Sequence, residues 1–157
     1  MATTHSIVIP GNWNFDYNYF AGETASRFFD EIKDNARIMG RRCPKCNRAL
    51  VPARSFCDAC YVPTAEWVET GPGGQLEVFT IVNAKFPGLP DPPLVIAYVT
   101  LDGADTALIN VVTGMDLSDI GKAAALLLHK PRVRAVFSKE RAGKITDFHF
   151  ELEDSAS

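Results

Sequence analysis

Four cysteines carry the clearest chemistry in this sequence. They form two Cys-x-x-Cys pairs, Cys43 with Cys46 and Cys57 with Cys60, separated by ten residues. A two-residue spacer lets both thiolates of a pair reach one ion, and two pairs complete the tetrahedral set that zinc prefers. The spacing therefore predicts one Zn²⁺ per chain, with an iron–sulfur cluster, two disulfides or free thiols as the alternatives. Four protein ligands close the coordination sphere, so the predicted zinc is structural.

The remaining reactive side chains form no catalytic pattern. His5 lies in an N-terminal tail, His129 ends a predicted short helix, and His149 falls on the polar side of the last predicted strand, so we interpret all three as solvated. The glycine-rich segment 71–74 joins two predicted strands and contains a proline, unlike a phosphate-binding loop. We predict that the chain is not an independent enzyme.

Composition and charge narrow the class of protein. The 157 residues are 46% hydrophobic and 22% charged, which is typical of a globular domain. The net charge of −3 gives no general attraction for nucleic acid. The apolar runs 94–99 and 123–128 are far shorter than the ~18 residues of a membrane span, and the start has no basic signal region. We expect a cytoplasmic protein without a membrane partner.

Basic residues concentrate in two parts of the chain. Segment 27–54 carries eight basic and three acidic residues, and segment 130–144 carries six basic residues against one acidic residue. We interpret both clusters as solvated surface, with a ligand site as the alternative.

The first patterned segment of the chain, well before the cysteines, is rich in aromatic residues. Trp13, Phe15, Tyr17 and Tyr19 alternate with polar residues, which predicts an extended segment with one aromatic side. Because large apolar patches rarely stay bare, either a helix of this chain or another protein is expected to cover it.

A helix is predicted next. Apolar residues recur at three- and four-residue intervals up to Gly40, which is expected to end the helix, and the charged residues fall on the other side. The apolar positions are Ala25, Phe28, Phe29, Ile32, Ala36 and Met39.

The second half of the chain has the alternation of β-strands. A short helix is predicted over 118–128, with Ser118 as its N-cap. From Gln75 onward the order is three strands, a helix and two strands, which indicates a five-stranded OB-fold barrel, with an antiparallel sandwich as the alternative. The predicted strands are 66–70, 75–84, 94–101, 106–112, 131–137 and 144–152.

The predicted organisation is mainly β with an N-terminal helix. An arm and helix occupy 1–40, a rubredoxin-like zinc ribbon 41–66 and the OB-fold barrel 67–157. The loop 85–93 contains four prolines and presents Phe86. It joins the first two barrel strands, a loop that OB-folds use for ligands, although packing over the barrel end is equally compatible.

Several segments together resemble the zinc-ribbon plus OB-fold family of acyl-CoA-associated proteins, over about residues 19–152. One departure is Tyr61, where a glycine is frequent. The segments are the aromatic-rich helix, Arg41 to Asn47, Val51 to Arg54, Phe56-Cys57, Glu66 to Glu69, Thr80 to Val82, the proline-rich loop and Arg132 to Phe137.

The resemblance implies a non-catalytic partner subunit of a thiolase-like or acyltransferase enzyme. Such a subunit docks beside the active site of the enzyme and helps enclose its acyl-CoA. The chain looks closest to members paired with thiolases, including those that cleave bulky or aromatic 3-oxoacyl-CoA in anaerobic degradation.

On this basis we predict two sets of binding residues. Partner contacts are expected from Trp13, Phe15, Tyr17, Arg41 and Arg42. Contacts with CoA are expected from Lys85, Phe86, Arg132 and Arg134.

Two other function classes stay open. A nucleic-acid-binding module would need aromatic and basic residues interleaved on barrel strands two and three, yet segment 94–112 offers only Tyr98 and no Lys or Arg. A stand-alone acyl-CoA thioesterase would need a nucleophile and a base, which the sequence does not present together.

Overall fold

The computed structural model describes residues 6–153, and within them no helix is long and apolar enough to cross a membrane. These described residues form two α-helices, eight strands and one short 3₁₀ turn. In chain order these are α1 (Glu23–Asn35), β1 (Met39–Arg42), β2 (Ala49–Leu50), β3 (Glu66–Glu69), β4 (Gly73–Val82), β5 (Leu94–Leu101), β6 (Leu108–Thr113), α2 (Ile120–Leu128), β7 (Arg132–Phe137), the 3₁₀ turn Ile145–Asp147 and β8 (Phe148–Leu152).

Helix α1 is shorter than its apolar periodicity predicts. It ends at Asn35 because Ala36 adopts a left-handed conformation with φ of 50°. The predicted stop at Gly40 is therefore wrong, and Met39 lies in β1 rather than on the helix. Gly40 serves packing instead, since a Cβ atom there would lie 2.8 Å from Val51 Cγ2.

The inner side of α1 is not purely apolar. Glu31 is buried beside Phe28 and Ile32, which corrects the prediction that the charged residues lie on the other side. Its carboxylate accepts hydrogen bonds from Arg37 Nε and Asn35 Nδ2, each at 2.7 Å. These bonds lower the pKa of Glu31, with the Arg37 contact as the main cause, so the buried carboxylate is satisfied.

The first sheet has three short antiparallel strands in the order β2-β1-β3. In its register Arg41 lies between Leu50 and Trp67. The strands extend from Met39 to Glu69, so the sheet runs slightly beyond the predicted ribbon limits of 41 and 66. This sheet holds the two cysteine pairs at its loops.

The second sheet closes into a barrel with the order β4-β5-β6-β8-β7. Strand β7 pairs with β4 to complete the circle, and only the β6–β8 pairing is parallel. Counted from β4, this order is one-two-three-five-four, with α2 between the third and fourth strands. The predicted OB-fold arrangement is confirmed, and the sandwich alternative is wrong.

The N-cap of helix α2 lies one residue later than predicted. Asp119, not Ser118, is the N-cap, and its Oδ1 accepts a hydrogen bond from the Lys122 N–H at 3.1 Å. Ala123 and Leu127 face the core, whereas Leu128 is 73% exposed.

One apolar core joins the helix, the ribbon and the barrel. Phe28 and Ile32 of α1 and Val51 after β2 pack in the same cluster as barrel residues such as Leu76 and Phe150. The ribbon is also tied to the barrel by Asp105, whose N–H donates to the Ala49 carbonyl oxygen at 2.9 Å. The ribbon that carries the zinc-binding loops therefore packs directly against the barrel.

Candidate metal centre

The four cysteines converge on one point. Their Sγ atoms lie within 4.8 Å of one another, and those of Cys46 and Cys57 are 3.8 Å apart. Zinc–sulfur bonds of ~2.3 Å in a tetrahedron place sulfur atoms about 3.8 Å apart. The donor set and its spacing therefore fit a single Zn²⁺, as the sequence predicts.

The two cysteine pairs sit on matching turns. The Asn47 N–H donates to the Cys43 carbonyl oxygen and the Tyr61 N–H donates to that of Cys57, each at 2.9 Å. Asn47 and Tyr61 both have left-handed backbone, with φ of 62° and 54°. Asparagine tolerates this conformation, whereas tyrosine adopts it only at some cost. Replacement of the frequent glycine by Tyr61 thus leaves the shape of the turn intact.

Hydrogen bonding and burial shift the pKa values of two of the thiols in opposite directions. Cys43 and Cys57 are fully buried. The backbone N–H of Cys46 is the main cause that lowers the pKa of Cys43 to about 7. Burial is the main cause that raises the pKa of Cys60 to about 12 in the metal-free tetrad. A bound cation stabilises such a thiolate, so metal binding and folding of the ribbon are coupled.

The centre has no catalytic features. Four protein sulfur atoms complete the coordination of zinc and leave no position for water or substrate. Within residues 6–153, this tetrad is the one group of three or more potential ligands close enough to share a metal ion. The site binds one structural zinc.

Two arginines that we predict to contact a partner, Arg41 and Arg42, make contacts within the ribbon. Arg41 Nη2 donates to the Thr64 carbonyl oxygen at 2.6 Å, and its guanidinium lies 5.1 Å from the Trp67 ring centre. Arg42 Nη1 donates to the Asn47 carbonyl oxygen at 2.9 Å. Both side chains are half-buried, and their partner contact stays a prediction.

The aromatic residues before α1 are exposed, and we call residues 13–20 the aromatic arm. Trp13, Phe15 and Tyr17 are 87%, 63% and 72% exposed. Neighbouring rings of the row from Trp13 to Tyr19 have centres 5.8 to 6.3 Å apart. The alternation places these rings in one row, as predicted, and no described part of the chain covers that row.

The residues predicted to contact CoA fall into two separate places. Lys85 and Phe86 follow the end of β4, whereas Arg132 pairs with Gln75 near its start. The seven steps between residues from Gln75 to Val82 span roughly 23 Å at ~3.3 Å per residue. The structure therefore does not bring the four residues into one site.

The charged members of that set already have acidic partners. Arg132 donates two hydrogen bonds to Asp102, at 2.8 and 2.6 Å. This contact is the main cause that lowers the pKa of Asp102 and raises that of Arg132. Arg134 pairs with Glu151 at 2.7 Å. Lys85 pairs with Asp91 at the same distance. A role in CoA binding stays a prediction for each.

The two histidines among residues 6–153 form no catalytic pair. His5 lies outside the described residues. His129 is exposed after α2, and His149 is half-buried on β8. A cavity beside His149 was not among the predicted sites. The sequence feature that indicates it is the pair of outward-facing apolar residues Ile96 and Val111 on neighbouring strands.

Comparison with known proteins agrees with this description. A family model described as the ChsH2 rubredoxin-like zinc ribbon domain matches residues 31–64. No curated protein sequence matches the chain significantly.

Two solved structures share the fold. A protein of unknown function from the DUF35 family of Sulfolobus solfataricus is 21% identical, with a TM-score of 0.59, over 84% of this chain and 87% of that chain. The Ltp2-ChsH2(DUF35) aldolase is 18% identical, with a TM-score of 0.58, over 85% of this chain and 98% of that chain. Residues 31–64 are therefore a ChsH2-type rubredoxin-like zinc ribbon, in a chain that has the fold of these two DUF35 structures.

Proposed function

We propose that this chain is the non-catalytic zinc-binding subunit of a thiolase-type complex. It docks on the thiolase-like enzyme in the cytoplasm and helps enclose the acyl-CoA, a bulky or aromatic 3-oxoacyl-CoA of anaerobic degradation. One of the two similar structures is named as an aldolase that includes ChsH2(DUF35), which supports a role in an enzyme assembly.

The exposed aromatic arm is the observation that carries this proposal. Trp13, Phe15, Tyr17 and Tyr19 present a row of rings to solvent, and Phe20 beyond them is 95% exposed. Aromatic side chains of this size bury ~150–250 Å² each, so an uncovered row leaves a large apolar area in water. Interface energy concentrates in such anchors, each worth ~2 kcal/mol or more. A protein surface that receives the row would remove this apolar area from water.

The arm is also attached to a rigid part of the molecule. It leads through Gly22 into α1, whose residues Phe28 and Ile32 lie in the shared core. A partner that binds the arm would therefore fix the orientation of the ribbon and the barrel as well. This attachment suits a subunit that covers part of the active site of another protein.

The chemistry of the chain supports a non-catalytic role. All four cysteines belong to the zinc tetrad. Of the described histidines, His129 is exposed after α2 and His149 is half-buried on β8. The partner enzyme is expected to supply the catalytic groups.

A nucleic-acid-binding function has no comparable support. Strands β5 and β6, which would carry the contacts in an OB-fold, contain no Lys or Arg. Their exposed side includes Tyr98 and Ile109, which suits an apolar ligand better than a phosphate backbone.

The test is reconstitution of the complex from purified components. The chain is used to capture proteins from the native cytosol, captured thiolase-like enzymes are identified by mass spectrometry, and one is purified separately. Dissociation constants are then measured for the wild-type chain, for a chain lacking residues 1–18, and for Trp13→Ala. We expect at least tenfold weaker binding for both variants. Leu128→Ala, which changes an exposed apolar residue on α2, is the control.

Two results would overturn the proposal. One is unchanged affinity of the truncated chain for the enzyme. The other is steady thiolysis or hydrolysis of an acyl-CoA by the isolated chain, since that would show a catalytic site within it.

A further inference from the structure

A cavity of about 470 Å³ lies on the outer side of the barrel. The proline-rich loop forms one wall, β5 and β6 form the floor, and the 3₁₀ turn before β8 forms the other wall. We call it the barrel pocket. Its large apolar or cyclic lining residues are Leu89, Pro90, Ile96, Ile109, Val111, Ile145 and Phe148.

The lining of the barrel pocket contains no Lys, Arg, Asp or Glu side chain. Asn110 is already satisfied, because its Nδ2 donates to the carbonyl oxygens of Ile145 and Phe148 at 3.0 and 2.9 Å. Its Oδ1 accepts from the Val111 N–H at 2.8 Å. The Asn110 amide thus holds the pocket walls together and offers little to a ligand.

Two polar side chains of the lining remain open to a ligand, because the hydroxyl of a third, Thr113, donates to the Phe150 carbonyl oxygen at 3.4 Å. The Thr146 hydroxyl is exposed on the 3₁₀ turn, and the His149 imidazole is half-buried beside it. Either can donate one hydrogen bond to a carbonyl oxygen. No lining residue matches the charge of a phosphate or a carboxylate in the way that an arginine would. This chemistry selects an uncharged group with at most one or two acceptors.

The position of the pocket also indicates ligand binding. OB-folds bind ligands on the outer side of strands two and three, between the loop that joins strands one and two and the loop that joins strands four and five. These elements correspond here to β5, β6, the proline-rich loop and segment 138–147. The volume lies within the ~300–1,000 Å³ of small-molecule sites.

We infer that the barrel pocket binds an uncharged apolar group of ring size. The identity of this group rests on the proposed function, under which it is the acyl part of the acyl-CoA. The CoA phosphates stay outside, where exposed lysines adjoin the lining, namely Lys85 in the proline-rich loop and Lys144 directly before Ile145. Thr146 or His149 then donates to an acyl carbonyl oxygen.

The experiment uses the isolated, zinc-loaded full chain with labelled isoleucine methyl groups. Binding of 3-phenylpropionyl-CoA, acetyl-CoA, free CoA and 3-phenylpropanamide is followed by NMR titration. We expect 3-phenylpropionyl-CoA to bind at least tenfold more tightly than acetyl-CoA. We also expect it to shift the methyl signals of Ile96, Ile109 and Ile145 selectively.

Two variants test the location. Val111→Trp fills the pocket from its floor, and Thr146→Trp fills it from an exposed turn residue whose replacement leaves the core intact. Both should reduce the affinity for 3-phenylpropionyl-CoA to that for acetyl-CoA. Leu128→Trp adds the same ring to an exposed position on α2 and should leave binding unchanged.

The outcomes separate the alternatives. Equal affinity for the two thioesters, without methyl shifts at the pocket, would overturn the inference even if the chain docks on a thiolase. Equal binding of 3-phenylpropanamide and the CoA ester would show that CoA adds nothing to binding, which would support an apolar ligand and overturn its assignment as an acyl-CoA. Shifts at these methyl groups caused by the partner protein alone, with no ligand effect, would identify a protein-docking face and also overturn it.

Discussion

The Thr106 hydroxyl accepts a hydrogen bond from the Val51 N–H and donates one to the Val51 carbonyl oxygen, each at 2.7 Å. Val51 is fully buried at the end of the ribbon sheet, and Thr106 lies just before β6. One barrel side chain thus satisfies both polar backbone groups of a buried ribbon residue. The preceding residue, Asp105, makes a second link, because its Oδ2 accepts from the Ala49 N–H at 2.8 Å.

Thr106→Val should destabilise the chain by roughly 2 kcal/mol. The substitution keeps the shape of the side chain but leaves two buried backbone groups of Val51 without partners. Chemical denaturation of the zinc-loaded protein measures the change in the free energy of unfolding. Thr80→Val, at an exposed position on β4, is the matched control and should cost far less. Equal effects of the two substitutions would contradict this account.

Cys46→Ser should abolish stoichiometric zinc binding, because an alcohol cannot replace the fourth thiolate. Metal analysis is expected to give one zinc per wild-type chain and well under one per variant chain. Hydrogen exchange should become faster around both cysteine pairs while the amides of β4 and β5 stay protected, since the barrel has its own core. Ser55→Ala, an exposed change in the same ribbon, should alter neither property. A metal-free wild-type protein with a protected ribbon would refute the prediction.

Asp147→Asn should change how stability depends on pH. The Asp147 Oδ2 accepts three backbone N–H bonds, from Ala142, Gly143 and Lys144, at 2.7 to 2.8 Å. Burial, the largest influence, acts to raise the pKa of Asp147, but the three bonds outweigh it and the pKa is lowered. A lowered pKa contributes stability that is present above the unfolded value of ~3.9 and is lost as the pH falls below it.

Thermal unfolding from pH 7 down to pH 3 tests this. The variant should have a Tm several degrees lower at pH 7, and the gap should narrow below about pH 4. Asp34→Asn, at an exposed position on α1, should follow the wild type throughout. A gap that stays constant with pH would show that the Asp147 charge is not responsible.

Gly40→Ala should destabilise the chain by roughly 1–3 kcal/mol, the usual cost of forcing an extra methyl group into a packed site. The new Cβ would lie 2.8 Å from Val51 Cγ2 and 2.9 Å from the Leu50 carbonyl oxygen. Gly11→Ala, where nothing lies within 4 Å of the added atom, serves as the control. Denaturation of both variants should show a loss for the first only.

The sequence predicts most of the architecture because its patterns follow local geometry. The cysteine spacing is sufficient to predict the tetrad, and the alternation of apolar residues gives β5 its observed bounds, 94–101. The strand and helix order leads directly to the OB-fold, since few closed arrangements accept a helix between strands three and four.

The predictions fail where contacts between residues distant in sequence determine where an element ends or which side chain is buried. The periodicity of α1 continues through Met39, but a left-handed Ala36 and the pairing of β1 with β3 end the helix earlier. Glu31 is buried because Arg37 and Asn35 reach it, which no periodic pattern encodes.

The candidate ligand residues show the same limit. A sequence identifies Arg132 as a cation near the end of the chain but not its bidentate pair with Asp102, 30 residues away. The barrel pocket depends on β5, β6, a loop and a turn that meet only in the folded chain. Within the sequence, outward-facing apolar residues such as Ile96 and Val111 are the feature that indicates this pocket.

Closure of the barrel determines how this chain can associate with copies of itself. A closed sheet has no unpaired edge, so among residues 6–153 the free strand edges belong to the ribbon sheet, at β2 and β3. The first is two residues long, and the second begins and ends with a glutamate, Glu66 and Glu69. Short or charged edges resist strand-to-strand aggregation. The two sheets of the described residues therefore offer little free backbone as a template for fibrils.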